Sequence, residues 1–140
     1  MRARDLDRFV GLPYCPRRMD CADLVLLVQS ELFGRRALLP GRPRPLRAGE
    51  QADQLRAQTE QLAQRVETPA DGDLVLMLDS GRARPGHAGT FFTLAHEPWV
   101  LHTSEALGGS CLHRLADLPS MGLRVDSYYR FTAPGASPGP

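Results

Sequence analysis

A polar turn, Met19-Asp20, hands over to the apolar run Leu24-Val25-Leu26-Leu27-Val28, and residues 21–33 read as a buried helix. Asp20 is placed to cap that helix, with Asp23 three residues on as a reciprocal acid. Gly34 follows as a natural left-handed stop. A shorter helix is predicted over residues 4–10, ended by Gly11-Leu12-Pro13. The Gln-, Glu-, Arg- and Ala-rich stretch from Ala48 to Val66 predicts a second long helix. Its Leu55, Leu62 and Val66 share one face, and Thr68-Pro69-Ala70-Asp71-Gly72 breaks it.

After Asp73 the period changes. Residues 73–78 form a short apolar run, read as a buried strand. Residues 87–94 and 99–103 read as two more strands joined by a short turn at His96-Glu97-Pro98, which predicts a hairpin. Residues 123–131 alternate well enough for a last strand, and 111–118 divide between a strand and a helical turn. The prolines of 35–45 predict an extended surface loop, and the Pro, Gly, Ala and Ser of 132–140 a disordered tail. Helices first and strands afterwards predict an α+β domain over residues 1–131 with a mostly antiparallel sheet.

The 140 residues suit one domain with a real core. The formal charge of +1 gives no signal for nucleic acid, and all 17 basic residues are scattered arginines. No apolar run approaches the length of a membrane span, so membrane insertion is not expected. The charged start, Met1-Arg2-Ala3-Arg4-Asp5, carries no apolar signal segment, so work outside the cytoplasm would need another route. Cys15, Cys21 and Cys111 are an odd set with no CxxC pair, which argues against a disulfide framework. A zinc site drawn from Cys15, Cys21, His87 and His102 fits no finger spacing, and no metal or cofactor is expected.

Cys21 carries the chemical interest. A thiol at the first turn of a helix meets unpaired backbone N–H groups and the positive end of the helix dipole, both of which favour a thiolate. Thiol catalysis also needs an imidazole beside the sulfur and a group that orients the imidazole. His87, His96, His102 and His113 are the candidates. In the predicted hairpin His87 and His102 fall at one end, so His87 could meet Cys21 while His102 holds its other ring nitrogen. His96 falls at the opposite end, and His96 and His113 read as surface residues.

Five segments, in order and approximate spacing, resemble the NlpC/P60 cysteine peptidases. They are Gly11-Leu12-Pro13-Tyr14, Asp20-Cys21-Ala22-Asp23-Leu24-Val25, Gly72-Asp73-Leu74-Val75, His87-Ala88-Gly89-Thr90-Phe91 and Val100-Leu101-His102. The resemblance covers roughly residues 5–131 and is nearest to the short versions encoded with bacteriophage tail genes. It implies a papain-like fold with helices on an antiparallel sheet. It also implies Cys21 as nucleophile, His87 as general base, His102 as the orienting residue and Tyr14 as an oxyanion or substrate contact. The implied reaction is amide hydrolysis in peptidoglycan stem peptides, without a cofactor. The implied setting is a virion tail tip, among tail-tip or baseplate proteins, acting on the host cell wall.

The chain departs from that family at several places, among them a His87 to His102 gap a few residues longer than usual. Cys15-Pro16-Arg17-Arg18-Met19 stands where Gly-Gly is common, and Ala22-Asp23 replaces the small residue and glycine after the nucleophile. Asp23 places a like charge beside a thiolate and should raise the thiol pKa. These departures define an alternative, a structural tail subunit that keeps the fold with weak or no cleavage.

Overall fold

The computed structural model describes residues 1–35, 45 and 47–132. The proline loop expected over 35–45 and the tail expected over 132–140 fall almost wholly outside the described residues. The elements run η1 (Ala3–Phe9), α1 (Cys21–Phe33), α2 (Ala48–Leu62), β1 (Ala63–Val66), β2 (Leu74–Asp79), β3 (His87–Leu94), β4 (Glu97–His102), β5 (Cys111–Arg114), η2 (Leu115–Met121) and β6 (Leu123–Phe131). The two η elements are short 3-10 helices. The strands form one six-stranded sheet in the order β1-β6-β2-β3-β4-β5, with every pairing antiparallel. The α+β class expected from the sequence is therefore observed.

One boundary is corrected. The helix expected to run from Ala48 to Val66 ends at Leu62, and residues 63–66 form β1 against β6. Helical periodicity carries past the true end because Val66 happens to continue the apolar face. Pairing with residues 128–131 satisfies backbone groups of 63–66 and covers part of β6, leaving β1 as the edge strand. The ambiguous 111–118 stretch resolves into both alternatives, strand β5 followed by η2.

The alternation of the central strands gives the sheet two different faces. Phe92, Leu94 and Leu101 pack against Leu24 and Val28 of α1 and against Leu6 and Phe9 of η1. Val75, Met77, Phe91 and Val100 face the other way and are covered by Leu118 of η2 and Leu123. A third cluster joins Val25, Ala63, Leu74, Leu76, Ala88 and Phe131, with Leu55 and Leu62 of α2 packed on it. Burying a side chain such as Phe92 or Leu24 contributes about 1.5–3 kcal/mol of transfer free energy.

One polar anchor ties α1 to the turn before β2, and a second ties that turn to β6. Buried Gln29 donates from Nε2 to the Gly72 carbonyl at 2.7 Å. Gly72 has φ +91°, and a Cβ there would stand 2.6 Å from the Phe33 ring, so this turn requires glycine. Buried Asp73, one residue on, accepts the Ala70 N–H and a forked pair from Arg130 on β6.

Candidate active site

Helix α1 begins at Cys21. Asp20 accepts a hydrogen bond from the Asp23 N–H, and Asp23 accepts one from the Asp20 N–H, both at 2.9 Å. This is the capping box expected from the sequence, and it defines where the first helical turn starts. Gly34, in the left-handed region, ends the helix as anticipated.

Cys21 and His87 line the same cleft, of about 210 Å³, with Tyr14, Gln58 and Thr103 also on its wall. Tyr14 arrives there through a short antiparallel join of the N-terminal segment to residues 108–110. The Gly11 N–H donates to the Ser110 carbonyl, the Ser110 N–H to the Leu12 carbonyl, and the Tyr14 N–H to the Gly108 carbonyl. The Ser110 hydroxyl stitches the same join by accepting the Leu12 N–H and donating to the Phe9 carbonyl. The structure therefore brings Cys21, His87 and Tyr14 to one cavity from three separate parts of the chain.

His102 lies one step further in, fully buried. Its Nδ1 is 2.8 Å from His87 Nε2, with the two rings edge-on at 74°. The register explains the contact. His102 pairs directly with Gly89, so its ring leans diagonally along the sheet toward His87, two residues before Gly89 on the same face. A Cβ at Gly89 would lie 3.1 Å from the His102 Cβ and 2.6 Å from Val100 Cγ1. Glycine at this position leaves room for the diagonal approach.

The histidines do not stop at His102. His102 Nε2 is 2.8 Å from Nδ1 of His113 on β5, repeating the diagonal step. His113 was expected at the surface and is instead half-buried in this line of three rings. The pairing of His102 with Cys111 sets this geometry, and the Gly108-Gly109 turn signal within the eight residues between β4 and β5 does not fix that register in advance. His96 is exposed at the hairpin turn, as expected, with φ +68° following Ala95 at +52°. The turn spans 95–96, one residue earlier than expected, because Leu94 pairs with Glu97.

A wall of amides was also missed. Gln51, Gln54 and Gln58 line the cleft from α2, spaced by three and four so that they share a face. Their spacing by three and four, on the same side of the helix as Leu55 and Leu62, was the available signal. Gln58 Nε2 and Thr103 Oγ1 are buried without a hydrogen-bond partner among the described residues.

The electrostatics differ from the expectation of a ready thiolate. The Cys21 thiol is pushed up to about 11. Burial contributes most, then the Asp20 carboxylate, with Asp23 adding a smaller push in the same direction. N–H groups of Ala88 and Ala22 bond to the sulfur and act the other way, without prevailing. Burial also lowers His87, against a smaller opposing effect of Asp79. His102 falls to about 3 through burial first, then the nearby His87 and His113. At neutral pH the site therefore rests as a neutral thiol beside neutral imidazoles.

No group of three or more His, Cys, Asp or Glu among the described residues is arranged to hold a metal ion. All three cysteines are free. No described helix is long and apolar enough to cross a membrane. No family model matches the chain, and neither a curated protein nor a solved structure shows significant similarity to it.

Proposed function

We propose that this protein is a thiol hydrolase of the peptidase type, with Cys21 as nucleophile, His87 as general base and His102 as the residue that orients His87. The observation that carries this reading is the shared cleft of Cys21 and His87, with His87 Nε2 held 2.8 Å from buried His102. A buried histidine that spends a nitrogen on a second histidine, beside a helix-start thiol in an open cleft, matches the demands of nucleophilic catalysis.

The resting protonation sets the order of events. A neutral thiol must lose its proton as the sulfur attacks, so His87 acts as a base during bond formation. The Sγ–H proton passes to His87, and the sulfur adds to the amide carbon. The resulting oxyanion would lie near the Cys21 backbone N–H and Tyr14. Collapse breaks the C–N bond, and His87 returns the proton to the leaving amine. Water then adds to the thioester with His87 as base, releasing the acid and restoring the thiol. Gln58 Nε2 and Thr103 Oγ1, buried without partners among the described residues, are suited to hydrogen-bond the peptide groups of a bound chain.

The resemblance of residues 5–131 to the NlpC/P60 peptidases supports a papain-like arrangement, peptidoglycan stem peptides as substrate, and a phage tail tip as the setting. The raised thiol pKa favours the second reading, a tail-tip or baseplate subunit that keeps the fold with little cleavage. The two are separated by incubating the purified protein and Cys21→Ala with peptidoglycan and following release of free amino groups. Cleavage by the parent and none by the variant supports the hydrolase. No release by either protein, with stable incorporation into assembled tails, supports the structural subunit.

A further inference from the structure

We infer that His113 is a positioning residue which, through His102, fixes the ring nitrogen that His87 presents to Cys21. The inference rests on the reading of His87 as the base. It deepens that reading by adding a residue outside the cleft, since His113 is not among those lining it.

The argument is one of donors and acceptors. A contact between two neutral imidazoles needs one N–H and one lone pair. His102 uses both ring nitrogens, Nδ1 toward His87 and Nε2 toward His113. Each neutral ring carries one N–H, so the two contacts cannot be chosen independently. Only two arrangements satisfy both. In the first, every ring is protonated at Nε2: His87 donates to His102, and His102 donates to His113 Nδ1. In the second, every ring is protonated at Nδ1 and both bonds reverse. The first leaves the lone pair of His87 on Nδ1, the nitrogen not engaged with His102, where it can accept the thiol proton. The second puts a hydrogen there and disables the base. When His113 Nδ1 accepts, the first arrangement is held along the whole line, so the role His113 takes sets the nitrogen that His87 keeps free.

The same line offers a path for charge. When His87 gains the thiol proton at Nδ1, it can pass its Nε2 proton to His102 Nδ1, and His102 can pass its own Nε2 proton to His113 Nδ1. No bond other than N–H is made or broken, and the positive charge leaves two buried rings for a half-buried one. The charged neighbours on each packed element are known. Asp79 acts on His87, and Asp20 and Asp23 act on the thiol. On the outer strand Arg114 holds Glu97 of β4 and Asp117 of η2. Cys111 shares the His113 face.

Imidazole nitrogen resonances of the full-length, nitrogen-15-labelled protein at neutral pH test this directly. His87, His102 and His113 should each carry hydrogen at Nε2. A mixture, or hydrogen at Nδ1 of His87, overturns the inference without any variant. His113→Leu, which offers no acceptor, should release the fixed tautomer of His102 and His87. It should lower kcat about tenfold to a hundredfold with KM unchanged, by analogy with the loss of outer partners of metal-bound histidines. His113→Asn keeps an acceptor near the Nδ1 position and should restore both readouts. Unchanged tautomers and kcat in His113→Leu, with normal cleavage by the parent, refute the role of His113 and leave the hydrolase standing. A released tautomer in His113→Leu, with no cleavage even by the parent, refutes the hydrolase and leaves the positioning role standing.

Discussion

Gly89→Ala tests whether the sheet is built around the histidine contact. An added Cβ would meet Val100 Cγ1 at 2.6 Å, the Leu101 carbonyl oxygen at 3.0 Å and the His102 Cβ at 3.1 Å. None of these is the free end of a flexible side chain. Val100 is β-branched and fully buried, Leu101 contributes backbone, and His102 is held at both ring nitrogens. Overpacking of this kind costs about 1–3 kcal/mol. Alanine also restricts the unfolded chain, which returns about 0.4–1 kcal/mol. The clash is the larger effect, so the variant should be less stable by about 1–2 kcal/mol, lowering Tm by several degrees for a domain of this size. Urea unfolding at pH 7 measures the loss. Because relief requires the β4 backbone carrying Val100 and His102 to shift away from Gly89, the nitrogen resonances of His87 should also change. Gly86→Ala is the control, since its Cβ would meet only the Ala52 Cβ at 3.9 Å. That variant should stay within about 0.5 kcal/mol of the parent. Equal stability of Gly89→Ala and Gly86→Ala, with His87 unperturbed, would refute the diagonal packing on which the site depends.

Acid should weaken the fold through His102. Its pKa is about 3 in the fold against an ordinary 6.5. The unfolded chain therefore takes up the proton first, and stability falls as pH drops from 6.5 toward 3, by at most about 1.4 kcal/mol per pH unit. Urea midpoints at pH 7, 5.5 and 4.5 should show a shallower decline in His102→Gln than in the parent. The thiol gives a second pH test. Alkylation of Cys21, resolved by mass spectrometry, should rise with an apparent pKa of about 11. Asp20→Asn keeps a helix-capping side chain and removes the carboxylate with the larger effect on the thiol, so that pKa should move down; no movement would show that Asp20 does not act on the sulfur. The hairpin turn offers a gain in stability. Ala95 and His96 both sit at positive φ, which L side chains rarely adopt, and replacement by Asn-Gly should raise the unfolding free energy by about 1 kcal/mol. A lower urea midpoint in that double variant would contradict the turn geometry.

Helix α1 was legible from sequence because its information is local. Asp20, Asp23, the apolar run from Leu24 and Gly34 lie within fifteen residues and point to one answer. The hairpin of β3 and β4 was legible for the same reason, and with it the approach of His102 to His87. The end of α2 was not, because Val66 continues a helical pattern and only the distant strand 123–131 offers residues 63–66 a partner. His113 was not, because a separation of eleven residues says nothing until the β4–β5 register places it diagonally from His102. The protonation of Cys21 was legible only in part for a related reason: Asp23 raises the thiol as expected, but the larger effect of burial could not be read from the sequence. A helix N-terminus can be recognised from neighbouring residues, and it favours a thiolate. The burial that outweighs it comes from packing of α1 onto the sheet, including Ala88 beside the sulfur. Sequence alone singled out Cys21, His87 and His102 as candidates and determined the local helix and hairpin that hold them. Tertiary structure decided their register, their solvent and hence their charge, because desolvation and cross-strand contact depend on residues far apart in the chain.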